Sequence, residues 1–251
     1  MTDLDAFWPP SVAIAPRRTG SARTRDAQRD KTLSRDEIVN AAVQLADSEG
    51  AGAVNMRRIA KDLGVGAMSL YWHVTDKDQL LDLMLDAVEG TNASAEVSGD
   101  WREDLERIAR QKRHALLRHP WVVDFMSERP PYGPNALLHI ERSLSVFDGL
   151  NVDTRTALQI LTTIDAYVTG SVLNELREIR VEQTQVHAGL SDAEIAAGMQ
   201  AWRDRLDRSG MFGRVVRVFD EGIDPDAAET RDDRFGFGLD SVLDGVTARI
   251  P

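Results

Sequence analysis

The 251-residue chain contains no cysteine, which excludes disulfide bonds, thiolate zinc sites and cysteine nucleophiles. It also lacks any apolar run near the 18 residues of a membrane-spanning helix, and its acidic N-terminus does not resemble a secretory signal. We therefore expect a cytoplasmic protein without a membrane partner. Positive charge is scarce as well, because 30 Lys and Arg stand against 41 Asp and Glu, a net charge of −11. That average argues against a nucleic-acid partner, since phosphate binding needs local positive charge.

The charge is distributed unevenly along the chain. Between Arg17 and Lys77 there are eleven Lys and Arg against eight Asp and Glu, so this window carries +3 and the remaining residues carry −14. The stretch 17–31 is rich in arginine and small polar residues and has no apolar periodicity, which is typical of a disordered tail. A basic arm that orders on DNA phosphates has the same composition, so both interpretations of residues 1–32 stay open.

Apolar residues recur at helical spacing from Leu33 onward, and no stretch alternates with the period of two that marks a strand. Ser34 and Glu37 have the spacing of a capping box that starts a helix, and so have Ser191 and Glu194. We predict an all-α protein. The other predicted helices span roughly residues 55–63, 67–74, 75–90, 101–118, 135–147, 153–180, 211–220 and 231–249.

Residues 56–77 carry the most informative pattern of the chain. Two short helices are separated by a four-residue turn, Leu63 to Gly66, as in a helix-turn-helix whose second helix enters the major groove. Gly64 suits the left-handed conformation that ends the first helix. An ordinary helical hairpin is the alternative, but it has no need of the mixture of aromatic and polar side chains at 69–73. The pattern therefore favours a DNA-binding element.

The residues of this segment are also recognisable as a set. The informative ones are Arg57-Arg58-Ile59-Ala60, Gly64-Val65, Leu70-Tyr71-Trp72-His73-Val74, Lys77 and Leu80-Leu81-Asp82. They resemble the tetracycline repressor family of bacterial one-component regulators. Weaker similarity to that family's C-terminal domain extends through Trp101, 115–118 and 235–240.

The resemblance implies an organisation and a function. Residues 33–79 would form a three-helix DNA-binding head, and residues 80–251 a larger helical domain that binds a small molecule and forms a homodimer. The protein would be a repressor that a small-molecule ligand releases from a palindromic double-stranded DNA operator. The implied DNA-binding residues are Arg57, Ala67, Met68, Ser69, Tyr71, Trp72, His73 and Lys77.

The base-facing positions of the implied recognition helix are unusual. Ala67 and Met68 cannot make the bidentate amide or guanidinium contacts of strong base readout. Specificity would then rest on Arg57, on apolar contact with thymine methyl groups, or on DNA shape. The sequence does not decide which of these three sources of specificity dominates.

The dimer interface has candidate residues in two helices. The predicted helix 153–180 carries an apolar stripe, and so does the predicted last helix, as expected of a four-helix interface between subunits. The alternative is that both stripes pack inside one subunit. The stripe residues are Leu161, Ile164, Val168, Val172, Leu176 and Ile179, and then Phe235, Leu239, Val242, Leu243, Val246 and Ile250.

A ligand pocket needs apolar walls with a few polar groups, and nine residues of the C-terminal part fit that description. They are His114, Trp121, Phe125, Met126, His139, Asp165, Tyr167, Asn174 and Trp202. Residues 122–129 contain no histidine where the tetracycline repressor uses one, which argues against a tetracycline–magnesium complex. We predict no metal site and no cofactor.

Two other classes of protein compete with a regulator. No nucleophile elbow, phosphate-binding glycine loop or His-Glu-x-x-His motif is present, so we do not expect an enzyme. A helical small-molecule-binding protein without a transcriptional role is the second hypothesis. Salt-dependent binding to a palindromic DNA fragment distinguishes the regulator from both.

Overall fold

The computed structural model describes residues 33–91, 97–126, 128–129, 132–224 and 226–250. These residues form helices joined by turns and contain no β-strand, so the all-α prediction is confirmed. The predicted basic arm within residues 1–32 lies outside the described residues. The helices are α1 (Arg35–Glu49), α2 (Met56–Asp62), α3 (Ala67–Leu70), α4 (Lys77–Gly90), α5 (Trp101–Arg118), α6 (Val122–Phe125), α7 (Pro134–Ser145), α8 (Thr154–His187), α9 (Asp192–Ser209), α10 (Gly213–Asp220) and α11 (Arg231–Thr247), and single 3-10 turns lie at Ala51–Ala53 and Ala228–Thr230.

Both predicted capping boxes are present. The backbone N–H of Glu37 donates to the Ser34 hydroxyl at 3.1 Å, and the Ser34 N–H donates to the Glu37 carboxylate at 3.0 Å. Ser191 and Glu194 repeat the arrangement at the start of α9. The exposed N–H groups of these two helix starts are thus satisfied by side chains that lie within the same four residues.

The helix predicted over 67–74 was wrong in length, because α3 ends at Leu70. Tyr71 keeps helical angles (φ −68°, ψ −11°), but the N–H of His73 donates to the Leu70 carbonyl at 2.9 Å, three residues back. The chain therefore tightens into a turn. It is extended at Asp76, whose carboxylate accepts from the Gln79 N–H at 2.8 Å and starts α4.

The chain divides into two compact units. The first contains the described residues up to Thr162, together with Arg249 and Ile250. Within it α4 packs against both α1 and α7, and α2 packs against α1 and α3. Its fully buried large side chains are Ile38, Val54, Ile59, Leu70, Val74, Leu80, Met84 and Leu105.

A buried carboxylate joins α4 to α7 in the first unit. Asp86 accepts hydrogen bonds from the backbone N–H groups of Asn135 and Ala136, both at 3.0 Å. Gly133 lies so close that a Cβ there would overlap the Asp86 carboxylate. Burial raises the pKa of Asp86, and the hydrogen bonds from Ala136 and Asn135 oppose the rise. Asp86 of α4 thus caps the N-terminal end of α7, whose residues Asn135 and Ala136 lie 49 and 50 positions later in the sequence.

The second unit, Thr163–Ala248, is held together by contacts between α8 and α11. The Tyr167 hydroxyl donates to the Phe235 carbonyl at 2.7 Å, and the two rings lie 5.6 Å apart. A Cβ at Gly238 would overlap the Tyr167 ring, so the close approach requires glycine. These contacts fix the register of α8 against α11.

A charged cluster makes a second connection between the same two helices. The buried carboxylate of Glu178 accepts from Arg231 at 3.2 Å and from Arg234 at 2.8 Å. The hydrogen bond from Arg234 is the main cause that lowers the pKa of Glu178, although burial works in the opposite direction. Glu178 is therefore held as a paired carboxylate.

The predicted interface stripes are largely occupied within one chain. On α8 the residues Ile164, Val168, Val172 and Leu176 are buried, and on α11 the residues Phe235, Leu239, Leu243 and Val246 are buried. The interpretation of these buried positions as a surface between subunits was wrong, because they already pack inside a single subunit.

Helices α9 and α10 pack against each other in the second unit. The Trp202 and Phe219 rings meet edge to face with centroids 5.4 Å apart. No side chain of α9 is buried in the structure as described.

Candidate functional site

Helices α2 and α3 form a compact helix-turn-helix. The N–H of Gly64 donates to the Lys61 carbonyl at 3.1 Å, and the N–H of Val65 donates to the Ala60 carbonyl at 2.9 Å. Gly64 has φ +69°, so the predicted left-handed position is confirmed. This pair of hydrogen bonds is the Schellman arrangement, which satisfies the last carbonyls of α2 while reversing the chain.

The two helices are fixed by apolar contacts on their inner side. Ile59, Leu70 and Val74 are fully buried. Leu63 and Val65 in the turn are half-buried. Because the inner side is packed, the outward side chains of α3 project from a rigid base.

The predicted DNA-binding residues lie mostly on the outside of this element. Met68 is 74% exposed and Trp72 is 87% exposed. Ala67 and His73 are half-buried. The other exposed ones are Arg57, Ser69, Tyr71 and Lys77. The structure therefore brings the eight predicted residues to one small element and its flanks.

Residues 67–74, α3 and the turn after it, are called the recognition segment, and its C-terminal end is held by a contact from α1. The Arg35 guanidinium donates through Nε to the backbone carbonyl of His73 at 3.2 Å. The positive charge of Arg35 also interacts favourably with the partial negative charge at the C-terminal end of this helical turn. Arg35 was not among the predicted site residues, since its partner lies 38 positions away.

The adjacent Arg57 and Arg58 have different environments. Arg58 makes hydrogen bonds to Glu49 at 2.7 Å and to Asp62 at 3.0 Å, and the pKa of Arg58 is raised, chiefly by the bond to Glu49. Its side chain is thus engaged between α1 and α2. Arg57 is exposed on α2.

A cavity of about 620 Å³ lies along one face of α5 and is also lined by Thr91, which directly follows α4. This volume is within the range of small-molecule sites. The α5 residues that line it are Glu103, Glu106, Arg107, Arg110, Gln111, His114, Ala115 and Arg118. Arg110 pairs with Glu106 at 2.8 Å, and Arg107 pairs with the buried Asp104. Charged heads and aliphatic stems together form the wall, so most of its residues are charged although apolar atoms make up the larger part of its surface.

The nine predicted pocket residues are dispersed over the two units. Among them, His114 lines the cavity on α5. Trp121 is buried, Phe125, Met126 and His139 are half-buried in the first unit, and Asp165 and Asn174 are exposed on α8. In the second unit the Tyr167 ring contacts Phe235, and the Trp202 ring contacts Phe219.

A hydrogen-bonded cluster joins α1 to the end of α5. Asp47 Oδ1 lies 2.8 Å from His119 Nδ1 and also accepts from Trp121 Nε1 at 2.8 Å. His119 and Trp121 are only 5% and 4% exposed, respectively. Arg118, which precedes His119, lines the cavity. The wall of the cavity and the first helix of the head are therefore linked through adjacent residues.

Within the described residues, no group of three or more His, Asp or Glu is arranged to hold a metal ion. The described helices also include none with the length and apolar character that a membrane crossing needs.

Two family models match the chain. The model for bacterial regulatory proteins of the tetR family matches residues 38–84, and the model for the tetracyclin repressor-like C-terminal domain matches residues 94–250. The chain belongs to the TetR family. It is a DNA-binding transcriptional regulator.

Relatives of this TetR-family chain include transcriptional repressors. The repressor DrrR1 of Streptomyces coeruleorubidus is 36% identical over 86% of this chain and 77% of the relative. The class A tetracycline repressor from transposon 1721 of Escherichia coli is 28% identical over 86% of this chain and 92% of the relative. The crystal structure of ActR from Streptomyces coelicolor in complex with actinorhodin has a TM-score of 0.64 at 28% identity, covering 87% of this chain and 97% of ActR.

Sequence reasoning missed the charged lining of the cavity in this family member. A signal was available, because Glu103, Arg107, Arg110, His114 and Arg118 recur at three- and four-residue spacing and so share one helix face. The Asp47 cluster had no such signal, since its partners lie 72 and 74 positions away.

Proposed function

We propose that this chain is a homodimeric repressor in the cytoplasm, that it binds a palindromic operator, and that a small molecule in the α5 cavity releases it. The observation that carries the proposal is the helix-turn-helix, in which packed inner residues hold exposed side chains ready for the major groove. The eight predicted residues are proposed as its DNA contacts, with Tyr71, His73 and Lys77 at phosphates and residues 67–69 toward the bases.

A palindromic site calls for two copies of the chain. Exposed apolar side chains on the helices of the second unit support this part of the proposal. Phe237 on α11 is 79% exposed, although the same helix buries four other apolar residues. On α8 the exposed Ala166, Gly170 and Leu173 share one face at four- and three-residue spacing. Small residues allow close helix approach, and Leu173 and Phe237 would lose water on association.

The proposed dimer is tested by Phe237→Asp. We expect wild type to run as a dimer in light scattering at micromolar concentration and the variant to shift toward monomer with unchanged helical circular dichroism. Met211→Ser is the matched control, because it removes a comparably exposed apolar side chain from another part of the second unit. This control should remain a dimer. A variant that remains fully dimeric would place the interface elsewhere.

The ligand part of the proposal is supported by the position of the cavity. Its wall on α5 ends next to His119, and His119 contacts Asp47 of α1. A ligand that moves the end of α5 would therefore displace the head and favour a state with mismatched head spacing. ActR, which binds actinorhodin, supports an organic molecule as the effector.

DNA binding is tested by selecting duplexes from a random pool at about 0.15 M salt and measuring affinity for the enriched sequence. We expect a palindrome whose half-sites lie about one helical turn, or a multiple of it, apart. Lys77→Ala should weaken binding to all sequences alike and reduce the salt slope by about 1. Arg205→Ala, an equal loss of charge on an exposed site of α9, should leave both unchanged. A pool without enrichment would refute the proposal and favour a ligand-binding protein that does not regulate transcription.

Ligand release is tested separately by thermal-shift screening of small organic molecules, followed by DNA release with each hit. His114→Ala should raise the concentration at which a hit releases DNA, whereas Gln44→Ala on the exposed side of α1 should not. Hits that stabilise the protein without releasing DNA would contradict a regulatory role for the cavity.

A further inference from the structure

Two large apolar side chains of the recognition segment lie in water. Met68 and Trp72 are 74% and 87% exposed, and Met68 lies in α3 while Trp72 lies in the turn that directly follows it. Apolar side chains of this size at such exposure on a rigid element are typical of a surface that meets a partner.

The edges of the bases limit what these side chains can recognise. In the major groove, guanine, adenine and cytosine present hydrogen-bonding groups, and thymine adds an apolar C5-methyl group. Met68 has only a weak acceptor, and Trp72 has a single indole N–H. Ala67, beside them, has no polar side-chain group. The complementary group for an exposed apolar chain in this groove is therefore the thymine methyl.

We propose that Met68 and Trp72 determine operator specificity by contacting thymine C5-methyl groups, so that each half-site carries thymine at the base pairs they face. The inference rests on the proposed function, because it assigns the base preference of the same DNA-binding site. It also selects among the three sources of specificity that the sequence left open. Ser69 and Tyr71 remain available for hydrogen bonds next to the apolar pair.

The expected size of the effect follows from the chemistry of one methyl group. Removing one buried methyl-sized group costs an amount equivalent to about a fourfold change in affinity. Deoxyuridine differs from thymidine only by that methyl, so replacing one base by the other changes no hydrogen bond.

The test uses the duplex enriched in the selection experiment, with the full-length protein. Each thymine is replaced by deoxyuridine in turn, and affinity is measured for wild type, Met68→Ala and Trp72→Ala. At least one thymine per half-site should lose about fourfold in wild type, and that loss should disappear in Met68→Ala or Trp72→Ala. Gln44→Ala, on the exposed side of α1, is the control and should retain the loss, and Met68→Leu should retain it too because leucine is apolar. A duplex in which 5-methylcytosine–guanine replaces the same thymine–adenine pair keeps the C5-methyl group. It should therefore bind more tightly than the duplex with unmethylated cytosine–guanine at that pair.

The outcomes separate this inference from the proposed function. If no sequence is enriched, the proposed function fails first and the inference fails with it. If a sequence is enriched but deoxyuridine is tolerated at every position, the protein is a regulator and the methyl contacts are refuted. A deoxyuridine penalty that persists in both alanine variants refutes the assignment to Met68 and Trp72, and a Trp72 effect independent of base identity would indicate that the indole N–H binds a phosphate instead.

Discussion

Replacing Asp47 with alanine removes a carboxylate that serves two buried partners at once. Its Oδ1 lies 2.8 Å from both His119 Nδ1 and Trp121 Nε1, and both partners are almost inaccessible to water. Each buried polar group left without a partner costs about 1–3 kcal/mol. Because Asp47 itself is exposed, water should replace part of the lost bonding, so we expect a loss of about 2–4 kcal/mol of unfolding free energy, below the full sum for two groups. For a chain of this size that corresponds to a fall in Tm on the order of 10 °C.

Chemical unfolding of matched variants measures this cost. Asp47→Asn keeps an oxygen that can accept from the indole, so it should lose less than alanine does. Trp121→Phe removes one of the two donors, and the double variant with Asp47→Ala should show a coupling of about 1 kcal/mol. Gln44→Ala, on the exposed side of the same helix, should stay within about 0.5 kcal/mol of wild type. An Asp47→Ala protein as stable as this control would refute the reasoning, since the two hydrogen bonds would then contribute nothing.

Three further predictions concern other contacts. Gly133→Ala should destabilise the fold by about 1–3 kcal/mol in urea unfolding, because the added Cβ overlaps the Asp86 carboxylate; equal stability would mean that this contact relaxes freely. Gly64→Ala should cost about 1 kcal/mol from its positive φ alone, since its Cβ would meet nothing within 4 Å. Glu178→Gln should be less stable than wild type near neutral pH, and the gap should narrow as the pH falls below about 4.3, the ordinary glutamate pKa, and on through the lowered pKa of folded Glu178. The sign follows because the unfolded chain binds the proton first in that range, and a gap that widened in acid would contradict the pairing with Arg234.

Local features of the fold were predictable from the sequence because their causes lie within a few residues. The Ser34 and Ser191 capping boxes and the left-handed Gly64 each involve hydrogen bonds over five residues or fewer. The bounds of α5 follow from its apolar periodicity and from Pro120 beyond it. The helix-turn-helix and its main family resemblance belong to the same class, since the 27 consecutive residues 56–82 contain the whole pattern.

The net charge of −11 was a poor guide because it averaged a basic segment and an acidic remainder. Partitioning it along the chain removed the objection to DNA, but the partition could not identify which arginines are available. That required the structure, in which Arg58 is held by Glu49 and Asp62 while Arg57 is exposed.

The sequence by itself determined the all-α class, the two helix starts at capping boxes and the position of the DNA-binding element, because backbone hydrogen bonds and helical periodicity are local. Tertiary structure decided which partner each face meets. An apolar stripe on α8 fits a subunit interface or an internal core equally well, and only packing assigned it to the core. The charged cavity, the Asp47 cluster and the exposure of Met68 and Trp72 were decided in the same way. Each depends on which segments, distant in sequence, pack over a side chain and remove it from water. Helical periodicity predicts which face of a helix is apolar, but it does not predict which distant segment packs against that face.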